Sequence, residues 1–113
     1  MCGVVGIVAL QEGRSIGEHE IRAMLPPLTH RGPDGSGVHL GPGIGLGHLR
    51  LSIVDLAGGQ QPIYNETGSI CVSFNGEIFN FVELRDQLEA AGHCFYTHSD
   101  TEVIVHAYEQ FGD

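Results

Sequence analysis

The sequence predicts an α+β or α/β fold with a layered core. The apolar, mostly β-branched run at residues 3–10 is typical of a strand buried on both faces. Later apolar segments follow in the order helix, strands, helix, helix, so both kinds of element contribute to the core. The 113 residues suit one domain or part of one. Because few strands are available for two sheets, we expect the sheet partners of the early strands to lie in sequence beyond this chain.

An amphipathic helix is predicted over residues 18–29. Its apolar positions recur at helical spacing, at Ile21, Met24, Leu25 and Leu28. Pro26 and Pro27 fall inside this window and should bend or end the helix early, because proline lacks the N–H group that an interior helical position donates. The next stretch, residues 31–35, has the proline and glycines of a turn.

The middle of the chain should supply two further strands. Residues 45–56 form an apolar run that is broken near Arg50, and residues 69–74 form another. Residues 57–62 are predicted to be a loop. Glycine occupies every second position from Gly41 to Gly47, which is more typical of a bulged or tightly packed strand than of a nucleotide site.

A second helix is predicted shortly after Asn75-Gly76, a turn dipeptide that joins it to the preceding strand. Asn80 precedes the helical pattern and Glu83 follows three residues later, which is the spacing of a capping box. Gly92 is placed to end this helix. Its predicted apolar stripe comprises Leu84, Leu88 and Ala91.

The last predicted helix begins with another capping box, formed by Ser99 and Glu102, and ends at Gly112. Its buried side is expected to be apolar. The residues of that side are Val103, Ile104, Ala107, Tyr108 and Phe111. Asp100 would then lie in the first helical turn, where its carboxylate would interact favourably with the helix dipole by about 0.3–1 kcal/mol.

Composition excludes several classes of partner. The formal net charge is −9, with only five Lys and Arg, which argues against nucleic acid and against anionic membrane surfaces. No apolar run reaches the ~20 residues of a membrane-spanning helix. No basic residue precedes the short apolar start, so we expect no signal peptide and a cytoplasmic location.

Neither the cysteines nor the histidines show the spacing of metal ligands. The three cysteines form no C-x-x-C pair and leave one unpaired in any disulfide scheme, which favours a reducing compartment. The seven histidines are scattered along the chain. We therefore predict no metal site, and a redox or metal-binding cysteine protein is disfavoured.

Cys2 is the strongest candidate for a catalytic residue. Removal of Met1 would place a thiol and a free α-amino group on one residue, which would then supply both nucleophile and base. The alternative interpretation of Cys2 is a small apolar residue that opens a buried strand.

Other polar residues could complete an acyl-transfer site for an α-amino acid. Asn75 and the N–H group of Gly76 offer neutral donors for an oxyanion. Arg50 is an isolated cation in an apolar strand and needs an anionic partner, either Asp55 or a ligand carboxylate. An ammonium group could be bound by the two acids near helix starts, Glu77 and Asp100.

Six segments in order carry a family resemblance. They are Met-Cys-Gly-Val-Val-Gly-Ile at 1–7, His-Arg-Gly-Pro-Asp at 30–34, Gly-His-Leu-Arg-Leu-Ser-Ile-Val-Asp-Leu at 47–56, Gln-Pro at 61–62, Phe-Asn-Gly-Glu-Ile-Phe-Asn at 74–80 and Ser-Asp-Thr-Glu-Val at 99–103. The chain resembles, over its whole length, the glutaminase domain of class II glutamine amidotransferases, the N-terminal-nucleophile type. The second and third segments resemble most closely those of glutamine-hydrolysing asparagine synthetases.

The resemblance implies a mechanism. Cys2, with Met1 removed, is the nucleophile, and its own α-amino group is the base, directly or through a water. The thiolate attacks the carboxamide carbon of glutamine, and Asn75 Nδ2 and the Gly76 N–H group form the oxyanion hole. Ammonia leaves, and water hydrolyses the γ-glutamyl thioester to glutamate.

The resemblance also implies the contacts that hold the substrate. Arg50 binds the α-carboxylate of glutamine, and Asp100 and Glu77 bind its α-ammonium group. Backbone groups near Ile53 and Val54 complete the pocket. Residues 31–34 are implied to be structural or to guide ammonia rather than to act in catalysis.

The fold implied by the resemblance is the N-terminal-nucleophile hydrolase type, a layered α/β/β/α sandwich that is incomplete in this chain. The 113 residues would be the N-terminal part of the glutaminase domain. The glutaminase step needs no cofactor. ATP and Mg act in a synthetase domain, absent here, that follows in the family and uses the ammonia to amidate aspartate. Oligomeric state is left open, with a homodimer among the options.

Two other interpretations stay open. The chain could belong to a different class II amidotransferase, which would pass ammonia to another acceptor. If Met1 is retained, the nitrogen of Cys2 is an amide and cannot act as a base. The chain would then be a non-catalytic folding or interaction module.

Overall fold

The structure, a computed structural model, describes residues 1–52 and 58–112. It is a mixed α/β structure with antiparallel sheets. The described residues form two units. The first comprises residues 1–51, 60–62 and 73–75, and the second takes the rest. The predicted strand residues 53–57, which include Ile53, Val54 and Asp55, lie outside the described residues.

The first unit contains a three-stranded antiparallel sheet in the order β1-β3-β2. The strands are β1 (Gly3–Val8), β2 (Gly35–Gly41) and β3 (Ile44–Arg50). Gly3 lies opposite Leu49 in the pairing of β1 with β3. Contrary to our expectation, the early strands find partners within this chain, since β1 and β2 both pair with β3. Whether their outer edges pair with further strands stays a prediction.

Strand β2 was not predicted from the sequence. It begins with Gly35, Ser36 and Gly37, which have little intrinsic tendency to form a strand. Pairing with β3 along its whole length overrides this weak propensity. Pro42 and Gly43 join the two strands, and Gly43 adopts a φ of +70°, which favours glycine.

Helix α1 (Glu18–Met24) packs on this sheet. Ile21 is fully buried, and a Cβ added at Gly47 would lie 2.6 Å from its side chain. Glycine in β3 therefore permits the close approach of the helix, which confirms the tightly packed strand. The core of the unit comprises Val5, Ile16, Ile21, Leu25 and Leu49. The early helix end is also confirmed, because α1 stops at Met24 and a 3₁₀ turn follows at Pro26–Leu28.

The second unit combines a two-stranded antiparallel sheet with two helices. Its elements are β4 (Ile63–Tyr64), β5 (Cys71–Val72), α2 (Phe81–Ala90) and α3 (Glu102–Phe111). Helix α3 contacts α2 and both strands. The strand predicted at residues 69–74 is reduced to β5, and β4 was not predicted. The buried apolar side chains are Ile63, Leu88, Val103 and Val105.

The predicted start of α2 and the predicted ends of both helices are confirmed within two residues. Helix α3 begins at Glu102, so Asp100 lies before the helix and not in its first turn as predicted. Neither predicted capping box forms. Asn80 occupies the N-cap of α2 without a side-chain cap hydrogen bond. Before α3, the Ser99 hydroxyl accepts the Thr101 N–H at 3.2 Å. The Glu102 carboxylate does not reach back to Ser99, because it accepts the N–H groups of Tyr96 and Thr97 instead.

The buried side of α3 differs from the prediction. Glu102 and His106 are fully buried, whereas Tyr108 and Phe111 are exposed. Of the predicted apolar side, Val103 is buried and Ile104 and Ala107 are partly buried, so periodicity was wrong for Tyr108 and Phe111 and missed Glu102 and His106. None of the helices in the described residues has the length and apolar character that spanning a membrane requires.

Candidate active site

Cys2 lies one residue before β1, at the end of the sheet where β3 finishes. The Leu51 N–H group donates to Cys2 Sγ at 3.3 Å, and Sγ lies 3.7 Å from the Leu51 carbonyl oxygen. The thiol is half-buried and forms no disulfide. The Leu51 backbone thus contacts the sulfur through both its N–H group and its carbonyl oxygen, which fixes the position of the candidate nucleophile.

Arg31 fixes the backbone at the nucleophile. Its Nε donates to the carbonyl oxygen of Cys2 at 3.1 Å. The turn that carries Arg31 is held against β3, because the Asp34 N–H donates to the Arg50 carbonyl oxygen at 2.9 Å. Gly32 lies so close to the β3 backbone that a Cβ would overlap it. Sequence reasoning treated residues 31–34 as structural or ammonia-guiding and did not identify this contact with Cys2.

Arg50 is the last residue of β3 and is only 6% exposed. Its neighbour Leu51 contacts the sulfur of Cys2, so the predicted cation and the predicted nucleophile lie at the same end of the sheet. The planar guanidinium is suited to bidentate binding of a carboxylate. Asp55, the alternative partner considered from the sequence, lies outside the described residues.

Asn75 follows a segment that the first unit holds in place. The Nδ1 of His48, on β3, lies 3.0 Å from the Ser73 hydroxyl. The Phe74 N–H donates to Gln61 Oε1 at 2.6 Å. Asn75 itself is exposed, which leaves its carboxamide accessible to a ligand.

His48 is a buried residue that sequence reasoning did not select. Burial, reinforced by the charge of Arg50, lowers the pKa of His48 to about 4. The imidazole is therefore neutral near pH 7, and it positions Ser73 rather than carrying charge. The only signal in the sequence was its place beside Leu49 in the resemblance segment at 47–56.

Asp100 is buried just before α3 and is tied to the segment that precedes α2. Its Oδ2 accepts the Ile78 N–H at 2.8 Å, and its Oδ1 lies 3.5 Å from the Ser99 hydroxyl. Gly76 and Glu77, immediately before Ile78, are both exposed. The structure therefore fixes one carboxylate oxygen of Asp100 against the backbone next to Glu77.

The predicted site residues divide between the two units. Cys2, Arg50 and Asn75 belong to the first, and Gly76, Glu77 and Asp100 belong to the second. The first unit thus carries the thiol, the cation and the carboxamide, and the second carries the acids. Ile53 and Val54 fall in the part of the chain that the structure does not describe.

In a comparison with known protein families, residues 1–113 of this chain match the model of a family described as a glutamine amidotransferase domain. The chain is 46% identical over 114 aligned residues to glutamine-hydrolyzing asparagine synthetase 2 of Bacillus subtilis (strain 168), covering 99% of this chain and 15% of that protein. It is 42% identical to glutamine-hydrolyzing asparagine synthetase 2 of Oryza sativa subsp. japonica, and 43% identical to the nodule glutamine-hydrolyzing asparagine synthetase of Pisum sativum. Those two alignments cover 100% of this chain and 19% of each relative. The chain therefore spans less than a fifth of the length of these relatives.

Proposed function

The chain belongs to the glutamine amidotransferase domain family, and from this premise we propose that it carries the glutamine-hydrolysing chemistry of an asparagine synthetase. The observation that carries the proposal is the position of the Cys2 sulfur, which receives the Leu51 N–H at the end of the strand that carries Arg50. In the whole protein, the ammonia would amidate aspartate in an ATP- and Mg-dependent synthetase domain. The relatives are long enough to contain such a domain, since this chain covers 15–19% of each.

The reaction begins once Met1 is removed. The α-amino group of Cys2 then takes the thiol proton, and the thiolate attacks the carboxamide carbon of glutamine. The α-ammonium protonates the departing nitrogen, which leaves as ammonia, and a γ-glutamyl thioester remains. Water hydrolyses the thioester to glutamate and regenerates the thiol. The contact between Arg31 Nε and the Cys2 carbonyl oxygen supports this step by holding the nucleophile in place.

The remaining residues bind the substrate or its oxyanion. Asn75 Nδ2 and the Gly76 N–H group stabilise the tetrahedral oxyanion. Arg50 binds the α-carboxylate of glutamine, and the acids Asp100 and Glu77 bind its α-ammonium. The burial of Arg50 and the fixed orientation of Asp100 support these two assignments. Backbone groups near Ile53 and Val54 are assigned to the pocket by family resemblance.

The finer fold assignment is part of the same proposal. The antiparallel sheets and helices would form part of the layered α/β/β/α sandwich of N-terminal-nucleophile hydrolases, and the 113 residues would be the N-terminal part of the glutaminase domain. Hydrolysis of glutamine would need no cofactor. The protein would act in the cytoplasm, bind neither nucleic acid nor membrane, and have glutamine as its substrate. A homodimer is one possible assembly.

A second candidate is another class II amidotransferase with a different ammonia acceptor. The family match by itself is compatible with it. The curated relatives favour the first proposal, because those compared above are named as glutamine-hydrolyzing asparagine synthetases.

The proposal is tested by the rate of ammonia release from glutamine. Asn75→Ala removes one oxyanion donor and should lower this rate by about 10²–10³. Asn80→Ala is the matched control, because Asn80 is also an exposed asparagine and lies five residues further along the same segment. A near-normal rate in the Asn75 variant would remove Asn75 from the site.

A further inference from the structure

A second group of polar side chains lies within the second unit and has no part in the proposed glutaminase chemistry. Glu66, His93, His106 and Glu109 each offer one ligand atom, and these atoms all lie within 4.8 Å of one another. Glu66 follows β4, His93 follows α2, and the other two residues lie one turn apart on α3. Three separate segments of the chain thus direct nitrogen and oxygen atoms toward one point.

His106 is fully buried, and its surroundings determine which ring nitrogen carries a proton. Its Nε2 lies 3.4 Å from Glu102 Oε1. Because a carboxylate accepts hydrogen bonds, the Nε2–H group donates to Glu102. In the neutral ring, Nδ1 then keeps an unprotonated lone pair. Nδ1 is fully buried and has no hydrogen-bond partner among the described residues.

The Nδ1 of His106 faces another acceptor. It lies 3.4 Å from Glu66 Oε2. A lone pair and a carboxylate oxygen at this separation repel each other unless a cation lies between them or a proton occupies the nitrogen. This contact therefore requires a positive charge, either a cation between the two atoms or a second proton on the ring.

His93 repeats the arrangement. Its Nε2 lies 3.1 Å from Gln110 Oε1, which accepts a hydrogen bond from it. Its Nδ1 is thereby directed at two carboxylates, 3.4 Å from Glu66 Oε1 and 3.7 Å from Glu109 Oε2. Two imidazoles thus present the same nitrogen to the same group of acids, with the opposite nitrogen held by an acceptor. A histidine that binds a metal through one ring nitrogen usually donates a hydrogen bond from the other nitrogen to a carboxylate or carbonyl oxygen.

The four ligand atoms, all within 4.8 Å of one another, lie near the spacing that a small tetrahedral ion requires. A zinc ion with bonds of about 2.0–2.1 Å holds its ligand atoms about 3.4 Å apart. His93 Nδ1 lies 3.4 Å from Glu66 Oε1 and 3.7 Å from Glu109 Oε2, and His106 Nδ1 lies 3.4 Å from the other oxygen of Glu66, Oε2. The Glu66 carboxylate thus faces both imidazoles. Two imidazole nitrogens and two carboxylate oxygens are ligand types that zinc accepts.

We propose that Glu66, His93, His106 and Glu109 form a zinc site that links α3 to the segments after β4 and α2. This proposal differs from our prediction from the sequence that the chain has no metal site. Its only sequence signal is the spacing of His106 and Glu109, three residues apart on one helix. The role is structural, because the cysteine chemistry proposed above uses no metal.

Calorimetric titration of the 113-residue chain with Zn²⁺ tests the proposal. We expect one site, and His93→Gln and Glu109→Gln should each weaken binding by more than about 100-fold, which exceeds the typical loss for an outer supporting residue. The matched controls, His19→Gln and Glu83→Gln, replace exposed residues of the same types and should leave binding unchanged. Saturating Zn²⁺ should also raise the Tm of the parent chain but not that of the Glu109 variant.

A Co²⁺ spectrum distinguishes this site from binding by the cysteines. The proposal predicts a tetrahedral spectrum without the charge-transfer band of a thiolate ligand. A thiolate band, equal Zn²⁺ affinity in the Glu109 and Glu83 variants, or no binding by a folded parent chain would each overturn it. The last result would mean that the two imidazoles carry protons against the acids. Failure here leaves the glutaminase proposal untouched, since that proposal is measured by ammonia release.

Discussion

The two units of the molecule bury different kinds of side chain on their helices, since α3 buries a carboxylate and an imidazole beside Val103 and Val105. In the first, α1 places Ile21 over Gly47, so the contact is apolar and the partner strand has no side chain in the way. In the second, α3 buries Glu102 and His106 and leaves Phe111 exposed. The first kind of contact can be read from periodicity, whereas the second depends on partners that periodicity does not reveal.

The buried acid of α3 is tolerated because its oxygens are occupied. Glu102 accepts the Tyr96 N–H at 2.8 Å and the Thr97 N–H at 2.7 Å, and it also accepts the Thr97 hydroxyl. His106 contributes a further contact at 3.4 Å. A fully buried carboxylate without such donors would be strongly destabilising. The network therefore holds the segment before α3 to the helix by hydrogen bonds rather than by apolar contact.

Among the substitutions that test this difference between the units, Glu102→Ala should cause the largest loss of stability. The change leaves the part-buried N–H of Tyr96 and the buried N–H and hydroxyl of Thr97 without their acceptor, so we expect a loss of about 3–5 kcal/mol in the free energy of unfolding. Denaturant unfolding, with a chelator present, measures it. Glu83→Ala is the control on α2, where the carboxylate is exposed and should matter little. Similar losses of unfolding free energy in both variants would mean that the buried hydrogen bonds of Glu102 stabilise the fold no more than an exposed carboxylate does.

His48 is a histidine buried in the first unit, and this burial should cause a pH dependence of stability. Its pKa of about 4 lies below the ordinary value of 6.5, so the unfolded chain binds this proton more readily than the folded chain. Stability should therefore fall as pH drops from 6.5 to 4, by about 3 kcal/mol from this group, and not further below pH 4. In His48→Asn, unfolding curves across this range should show a shallower pH dependence. An unchanged slope would contradict the assignment.

A smaller loss of stability is expected when a side chain is added at Gly47, where α1 packs on the sheet of the first unit. In Gly47→Ala, the new Cβ would lie 2.6 Å from Ile21 and 2.7 Å from Val5, so we expect a loss of about 1–3 kcal/mol from overpacking. Gly35→Ala is the matched strand control, since among the described residues its Cβ would lie no closer than 3.6 Å, to the side chain of Gln60. Thermal unfolding of the two variants should separate them. Equal Tm values would show that the close approach of α1 is not limiting.

The sequence predicted features that depend on local signals and missed features that depend on residues distant in the chain. Helix α1 ended before Pro26 as expected, because a missing N–H group is a local property. The end of β3 at Arg50 and the ends of α2 and α3 were also local signals. Strand β2 and the buried face of α3 were missed, because both depend on partners distant in sequence.

The candidate site was predictable mainly as a set of residue types. The position of Cys2, the lone Arg50 in an apolar strand and the Asn75-Gly76 turn were all visible in the sequence. The contact of Arg31 with the Cys2 backbone and the burial of His48 were not, because a spacing along the chain does not report which backbone group a side chain reaches. Such supporting contacts become visible only when the chain is folded.

The identity of the nucleophile is the central claim, and covalent labelling tests it most directly. The chain, with Met1 removal verified by intact mass, is treated with the glutamine-mimicking electrophile 6-diazo-5-oxo-norleucine, and the adduct is located by peptide mass. Cys71 and Cys94 serve as internal controls, because burial raises the pKa of the Cys71 thiol and Cys94 is an exposed thiol. The account predicts one adduct, on Cys2, that excess glutamine suppresses. Labelling of Cys71 or Cys94 with Cys2 unmodified would contradict it.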